Sequence, residues 1–203
     1  MKIGILGGTF NPPHKGHVKL GLDFAKKLEL DKIIVIPAKI PTHKKAEGLV
    51  GGRDRLKMCS LEFKDSIFEV SDIEIKSERE SYTVYTLEML KEKYPDGEFY
   101  LIIGSDMFLI FDKWYRFEDI LSMCTVCVEV RENGESVETL EKYAKKHLGI
   151  DTRKSEKIII NPVKPFPVSS TEIRQRIRDG RGVKRLIGSD VAQYIKSRGL
   201  YLG

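Results

Sequence analysis

The 203-residue chain has only three cysteines, an odd number, which argues against a disulfide framework and makes a cytoplasmic setting the expectation. No apolar run approaches the length a membrane-spanning helix needs, so no membrane partner is expected. The opening residues Met1-Lys2-Ile3-Gly4-Ile5-Leu6-Gly7-Gly8 carry neither an apolar signal core nor a small-residue cleavage site, and no signal peptide is expected. Internal repeats and low-complexity tracts are also lacking. Charge of one sign is only mildly in excess: Lys plus Arg number 35 against 30 Asp plus Glu, a net +5. That excess suits nucleotides, and would equally suit RNA, a membrane surface or a solvated basic face. Cys124 and Cys127 form a C-x-x-C, but on a strand positions i and i+3 point to opposite faces, and a second ligand pair for zinc is missing. They read as core thiols.

What is present is an alternation of short apolar runs with amphipathic stretches, the pattern of a parallel α/β sheet. Strands are expected at Lys2–Leu6, Lys32–Ile36, Phe68–Ile75 (with a break allowed within it), Phe99–Ile103, Thr125–Val130 and Lys157–Ile160. Their aliphatic content without strict alternation predicts burial on both faces. Helices are expected at Gly16–Leu28, Arg53–Phe63, Thr83–Lys93, Ser136–His147, Thr171–Asp179 and Ser189–Ser197. Prolines in 161–167 mark a softer junction, after which the chain, 161–203, reads as a small helical C-terminal subdomain of a single domain. Ala38–Gly52, rich in Lys, Pro and Gly, reads as a mobile functional loop.

Three places carry chemistry. Gly7-Gly-Thr-Phe-Asn-Pro-Pro-His-Lys-Gly-His17 follows a strand and opens a helix, so unpaired N–H groups and a positive dipole end point into the turn, which suits a phosphate. His14 and His17, one helical turn apart, can both reach one phosphate cluster and stabilise charge building during attack on an α-phosphate. Two such histidines can also share a metal ion, but no carboxylate partner joins them, and no protein-held metal is expected. Val168-Ser-Ser-Thr-Glu-Ile-Arg174 is a helix-capping signal, and Arg174 one turn in makes it a second site for phosphates. Ile102-Ile-Gly-Ser-Asp-Met107 ends a strand, where an Asp can accept from ribose hydroxyls; by itself it reads equally as a turn and cap.

Taken in order, these motifs resemble the bacterial nicotinate-nucleotide adenylyltransferases within the wider H-x-G-H nucleotidyltransferase superfamily. Further marks are Pro37-Ala-Lys-Ile-Pro-Thr-His-Lys44, Ser81-Tyr-Thr-Val-Tyr-Thr-Leu87, Gly104-Ser-Asp with Trp114, and Gly199-Leu-Tyr201, so the likeness spans the chain. It implies a Rossmann-like parallel sheet flanked by helices, ATP and nicotinate mononucleotide as substrates, Mg²⁺ with ATP, and deamido-NAD and pyrophosphate as products. It implies that Gly8, Thr9, Phe10, His14 and His17 meet the ATP phosphates, that Gly104 and Asp106 meet the adenosine side, and that Ser170, Thr171 and Arg174 hold the triphosphate. Lys44, Thr83, Trp114 and Tyr115 fall where the family receives the pyridine mononucleotide. On this reading Ala38–Gly52 closes over that substrate.

Three positions depart from the family pattern: Tyr85 where Asp is frequent, Thr42 where a second Pro is common, and Pro13 where an aliphatic is common. None removes a group the chemistry needs. Within the same chemistry the alternatives are nicotinamide mononucleotide and phosphopantetheine as acceptors. A nucleic-acid-binding protein, suggested by the Arg-rich 174–185 segment, lacks an aromatic-interleaved basic stripe, and no nucleic-acid partner is expected. The chain is compatible with a homo-oligomer.

Overall fold

The computed structural model describes residues 1–40, 48–130, 135–162 and 166–202. The strands are β1 (Lys2–Gly8), β2 (Lys32–Pro37), β3 (Phe68–Val70), β4 (Glu98–Gly104), β5 (Cys124–Glu129) and β6 (Ile158–Asn161). The helices are α1 (Lys15–Leu28), α2 (Gly52–Glu62), α3 (Ile73–Lys76), α4 (Thr83–Lys93), α5 (Ser105–Phe108), α6 (Phe117–Met123), α7 (Val137–His147), α8 (Ser170–Arg178) and α9 (Ser189–Ser197), with a 3₁₀ turn at Phe111–Lys113. The strands form one parallel sheet in the order β3-β2-β1-β4-β5-β6, a Rossmann-like α/β arrangement. The order reverses at β1 and β4, the kind of switch point at which open sheets bind ligands.

The chain divides into two compact units, one of Met1–Leu6, Leu20–Ile33 and Tyr82–Pro165, the other of Gly7–Lys19, Ile34–Ser81 and Phe166–Gly203. In the first, Ile3 pairs with Phe99, Leu101 with Val126, and Val126 with Ile158. These side chains are buried, as are Phe24 of α1, Leu87 and Leu90 of α4, and Leu140 and Ala144 of α7. Full burial contributes roughly 1.5–3 kcal/mol for each large aliphatic or Phe side chain. The spacing of the α4 and α7 pairs, i to i+3 or i+4, puts each pair on one helical face.

The second unit has its own core, in which Met58 of α2 packs with Ile173 of α8, Val191 and Ile195 of α9, Ile187 and Tyr201. The expected capping signal is there: Ser169 Oγ accepts the Glu172 N–H at 3.1 Å and starts α8.

One expected strand is corrected. Phe68–Ile75 is strand only to Val70; Asp72 then starts α3, where Lys76 pairs with it at 2.8 Å. The apolar residues Ile73 and Ile75 alternate as a strand would, yet the Ser71-Asp72 pair breaks the run, and the Ser71 hydroxyl accepts the Ile73 N–H at 3.3 Å. Cys124 and Cys127 are buried in β5 as free thiols, and burial pushes Cys124 up to about 12. Lys44 and the centre of the Ala38–Gly52 loop, 41–47, lie outside the described residues. No described helix is long and apolar enough to cross a membrane.

Candidate active site

The glycine turn leaves β1 at Gly8, whose carbonyl accepts the Ala38 N–H at 2.9 Å. Phe10 follows at φ 48°, a left-handed conformation uncommon for a residue with a side chain. Its buried ring meets His17 edge-on at 5.0 Å and Phe63 at 5.7 Å, contacts that hold the residue there. The Asn11–Pro12 peptide is cis.

His14 is buried, and its backbone N–H donates to His17 Nδ1 at 3.2 Å. The two imidazoles stack with centroids 3.6 Å apart. Because His17 Nδ1 accepts, the neutral ring carries its proton on Nε2 and donates from there. Gly16 gives them room: a Cβ there would lie 3.0 Å from both His14 Nδ1 and Val168 Cγ1 and press on both side chains. The first turn of α1 carries no acidic residue, so nothing in it offsets the positive end of the helix dipole.

The start of α8 is tied to the same turn. Ser170 Oγ donates to the Pro12 carbonyl at 2.8 Å, and Arg174 Nη1 donates to the Asn11 carbonyl at 2.9 Å. Arg174 Nη2 also donates to Thr171 Oγ1 at 3.3 Å. One unit therefore gathers Gly8, Thr9, Phe10, His14, His17, Ser170, Thr171 and Arg174. This is a concentration of donors with two helix N-termini, which fits an anion of several phosphates.

The other unit holds the remaining described positions. Gly104 ends β4 as the buried N-cap of α5, and half-buried Asp106 lies in that helix's first turn. Thr83 opens α4. Trp114 is only 8% exposed and packs 5.1 Å from Phe111, whereas Tyr115 is 46% exposed. Tyr85, the residue that departs from the family pattern, joins an aromatic cluster: its ring centre is 6.0 Å from Tyr82 and 5.8 Å from Tyr115, and Tyr82 and Tyr115 are 4.8 Å apart. Ahead of Trp114, Tyr143 donates its hydroxyl to Asp112 Oδ1 at 2.6 Å and accepts the Asp112 N–H at 3.0 Å. Among the described residues no cluster of three or more His, Cys, Asp or Glu is placed to hold a metal.

Residues 5–176 match the cytidylyltransferase-like family. The chain belongs to it. Relatives of nearly equal length carry the name "probable nicotinate-nucleotide adenylyltransferase". That of Geobacillus thermodenitrificans is 36% identical, covering 98% of this chain and 86% of its own, and that of Geobacter sulfurreducens is 35% identical, covering 99% and 98%. The chain is a nucleotidyltransferase of this group. The nicotinic acid mononucleotide adenylyltransferase of Plasmodium falciparum, solved in complex with NaAD, superposes with a TM-score of 0.75 over 98% of this chain and 97% of its own. A structure described as a putative nicotinate-nucleotide adenylyltransferase from Vibrio parahaemolyticus gives 0.68 over 99% and 95%. At 22% and 23% identity these two show the shared fold.

Other residues of the same unit, to which the sequence motifs assign no role, brace the turn and its surroundings. Arg55 of α2, 1% exposed, donates to the carbonyls of Thr9, Lys39 and Val50. Asn11 Nδ2 donates to the Gly48 carbonyl at 3.0 Å, while Asn11 Oδ1 accepts from Val50 N–H and from the Tyr201 hydroxyl. Glu62 accepts the Gly188 N–H at 2.7 Å, and burial raises its pKa to about 7 against the pull of Gly188, Lys15 and Lys64. A signal for two of these exists: Arg55, Met58, Cys59 and Glu62 fall at i, i+3, i+4 and i+7, the buried stripe of α2. A charge on such a stripe marks a side chain with a task inside the protein.

Proposed function

We propose that the chain transfers the adenylyl group of ATP to nicotinate mononucleotide. An oxygen of the mononucleotide phosphate forms a bond to the α-phosphorus while the bond from that phosphorus to the bridging oxygen breaks, giving deamido-NAD and pyrophosphate. No general base is needed, because the attacking phosphate is already ionised. The observation that carries the reading is the tie of two helix starts to one turn, through Ser170 to Pro12 and Arg174 to Asn11. In this reading Ser170, Thr171 and Arg174 take the β- and γ-phosphates, which leave together as pyrophosphate. His14, His17 and the backbone at Gly8, Thr9 and Phe10 take the α-phosphate and its neighbours, where charge grows as the bond to the leaving group lengthens. ATP would enter as its magnesium complex, the ion offsetting the negative charge of the phosphates.

Asp106 and Gly104 are assigned to the adenosine side. Thr83, Trp114, Tyr115 and Lys44 are assigned to the pyridine mononucleotide, with backbone N–H groups near Thr83 and Tyr115 donating to the ring's carboxylate. The names of the full-length relatives support this choice of acceptor. The whole chain acts as one catalytic domain in which 161–203 supplies the helices of the C-terminal part. Three free, buried thiols support a cytoplasmic setting.

The test is pyrophosphate release from MgATP with nicotinate mononucleotide, nicotinamide mononucleotide or phosphopantetheine as acceptor. Release with nicotinate mononucleotide, and deamido-NAD among the products, is expected; release only with phosphopantetheine would overturn the assignment.

A further inference from the structure

Arg55 is the least exposed charged side chain described, at 1%. A buried guanidinium is most readily satisfied by a carboxylate. Here its planar fork spreads instead to three backbone carbonyls on three separate stretches. Nη1 reaches Thr9 in the glycine turn at 2.9 Å, Nη2 reaches Lys39 beyond β2 at 3.1 Å, and Nε reaches Val50 ahead of α2 at 3.1 Å. The group is placed to fix backbone geometry.

The Thr9 contact has a direct consequence. The Thr9 carbonyl and the Phe10 N–H belong to one peptide unit, and in a trans peptide they point in opposite directions. With the carbonyl held by Arg55, the Phe10 N–H must face away from the guanidinium. Phe10 is at φ 48°, and a flip of this peptide would return it to the ordinary negative region while reversing the N–H. Something must oppose that flip, and the guanidinium grips the oxygen that would have to swing.

We propose that Arg55 is the positioning residue of the triphosphate turn, holding the Thr9 carbonyl so that the Phe10 N–H is aimed at the phosphates of ATP. This rests on the reading of the Gly7–His17 turn as the phosphate site. Arg55 itself touches no substrate. Its second and third contacts brace the turn against the backbone at Lys39 and Val50, so a single-point donor cannot replace the fork.

The experiment is calorimetric titration of parent and Arg55→Lys with MgATP and, separately, with nicotinate mononucleotide, well below the unfolding midpoint of each. Arg55→Lys should bind ATP roughly ten- to a hundredfold more weakly, the loss of one aimed donor, while mononucleotide affinity stays within about twofold. Equal affinities in parent and variant, or equal losses for both ligands in a folded variant, would overturn the role and leave the activity standing. A parent that binds no ATP would overturn the activity as well. Should Arg55→Lys not fold, the Phe10 amide resonance of the parent decides. It must shift on addition of MgATP, and an unmoved Phe10 amide beside shifted neighbours would refute the aim of that N–H.

Discussion

The backbone N–H of His14 donates to Nδ1 of His17 at 3.2 Å, with the two rings stacked 3.6 Å apart. This contact makes His17 a donor through Nε2 at the start of α1. A donor aimed at charge that grows only in the transition state affects turnover more than binding. His17→Ala should therefore lower kcat by about 10²–10³ and change ATP affinity little. Steady-state kinetics beside ATP titration checks this, and ¹⁵N shifts of the parent should place the neutral-ring proton on Nε2. A near-parental kcat would remove His17 from the chemistry.

Glu62 provides a pH dependence of stability. Its carboxyl is raised from 4.5 to about 7, first by burial. The folded state thus keeps a proton that the unfolded chain releases. The resulting stability is complete below about 4.5 and is lost as pH rises through about 7. Denaturant unfolding across that window should show parent stability falling relative to Glu62→Gln, by at most about 3 kcal/mol. A constant difference between the two would contradict the burial-raised carboxyl.

The parts legible in the sequence were those whose signal is local. Buried strands such as Lys2–Gly8 and Glu98–Gly104 announce themselves as apolar runs, and Ser169 announces α8 through its own capping hydroxyl. The stretch from Ser105 to Met123 was not read as helical, because α5 is a single turn and α6 only seven residues, too short for a 3.6-residue period to register. Phe68–Ile75 misled through its alternating apolar residues, with the break supplied by Ser71 and Asp72. Gly8, Thr9, His14, His17, Ser170 and Arg174 were singled out because they sit inside motifs. The bracing of the turn by Arg55 and Asn11 was not, since Arg55 meets carbonyls 16 and 46 positions away and Asn11 meets a tyrosine 190 positions away.

Tyr143 fixes the segment ahead of Trp114 through both hydrogen bonds to Asp112. The same hydroxyl is the main cause holding the Asp112 carboxyl below its usual value, with His147 adding to it. Tyr143→Phe should lower the melting midpoint by roughly 2–8 °C and move the Asp112 carboxyl titration upward in carbon-detected NMR. A midpoint and titration both unchanged would show that the pair does not hold the segment.

Trp114, largely buried against Phe111, should behave as a packing residue as well as a substrate contact. Trp114→Ala is expected to cost about 3–5 kcal/mol in stability, and Trp114→Phe much less. Both should raise KM for the mononucleotide while KM for ATP holds. Raised KM for ATP alone would place the ring elsewhere in the reaction.

The central claim, an adenylyltransferase whose acceptor is nicotinate mononucleotide, turns on how the enzyme treats a carboxylate against a carboxamide on one ring. Backbone donors favour the carboxylate on both oxygens, whereas the amide brings N–H groups against them and leaves polar groups unpaired, at about 1–3 kcal/mol each. The most direct measurement is kcat/KM for nicotinate and nicotinamide mononucleotide under saturating MgATP. The account predicts a preference for the nicotinate form of roughly tenfold to a hundredfold or more. Equal values, or a preference for the nicotinamide form, would contradict it.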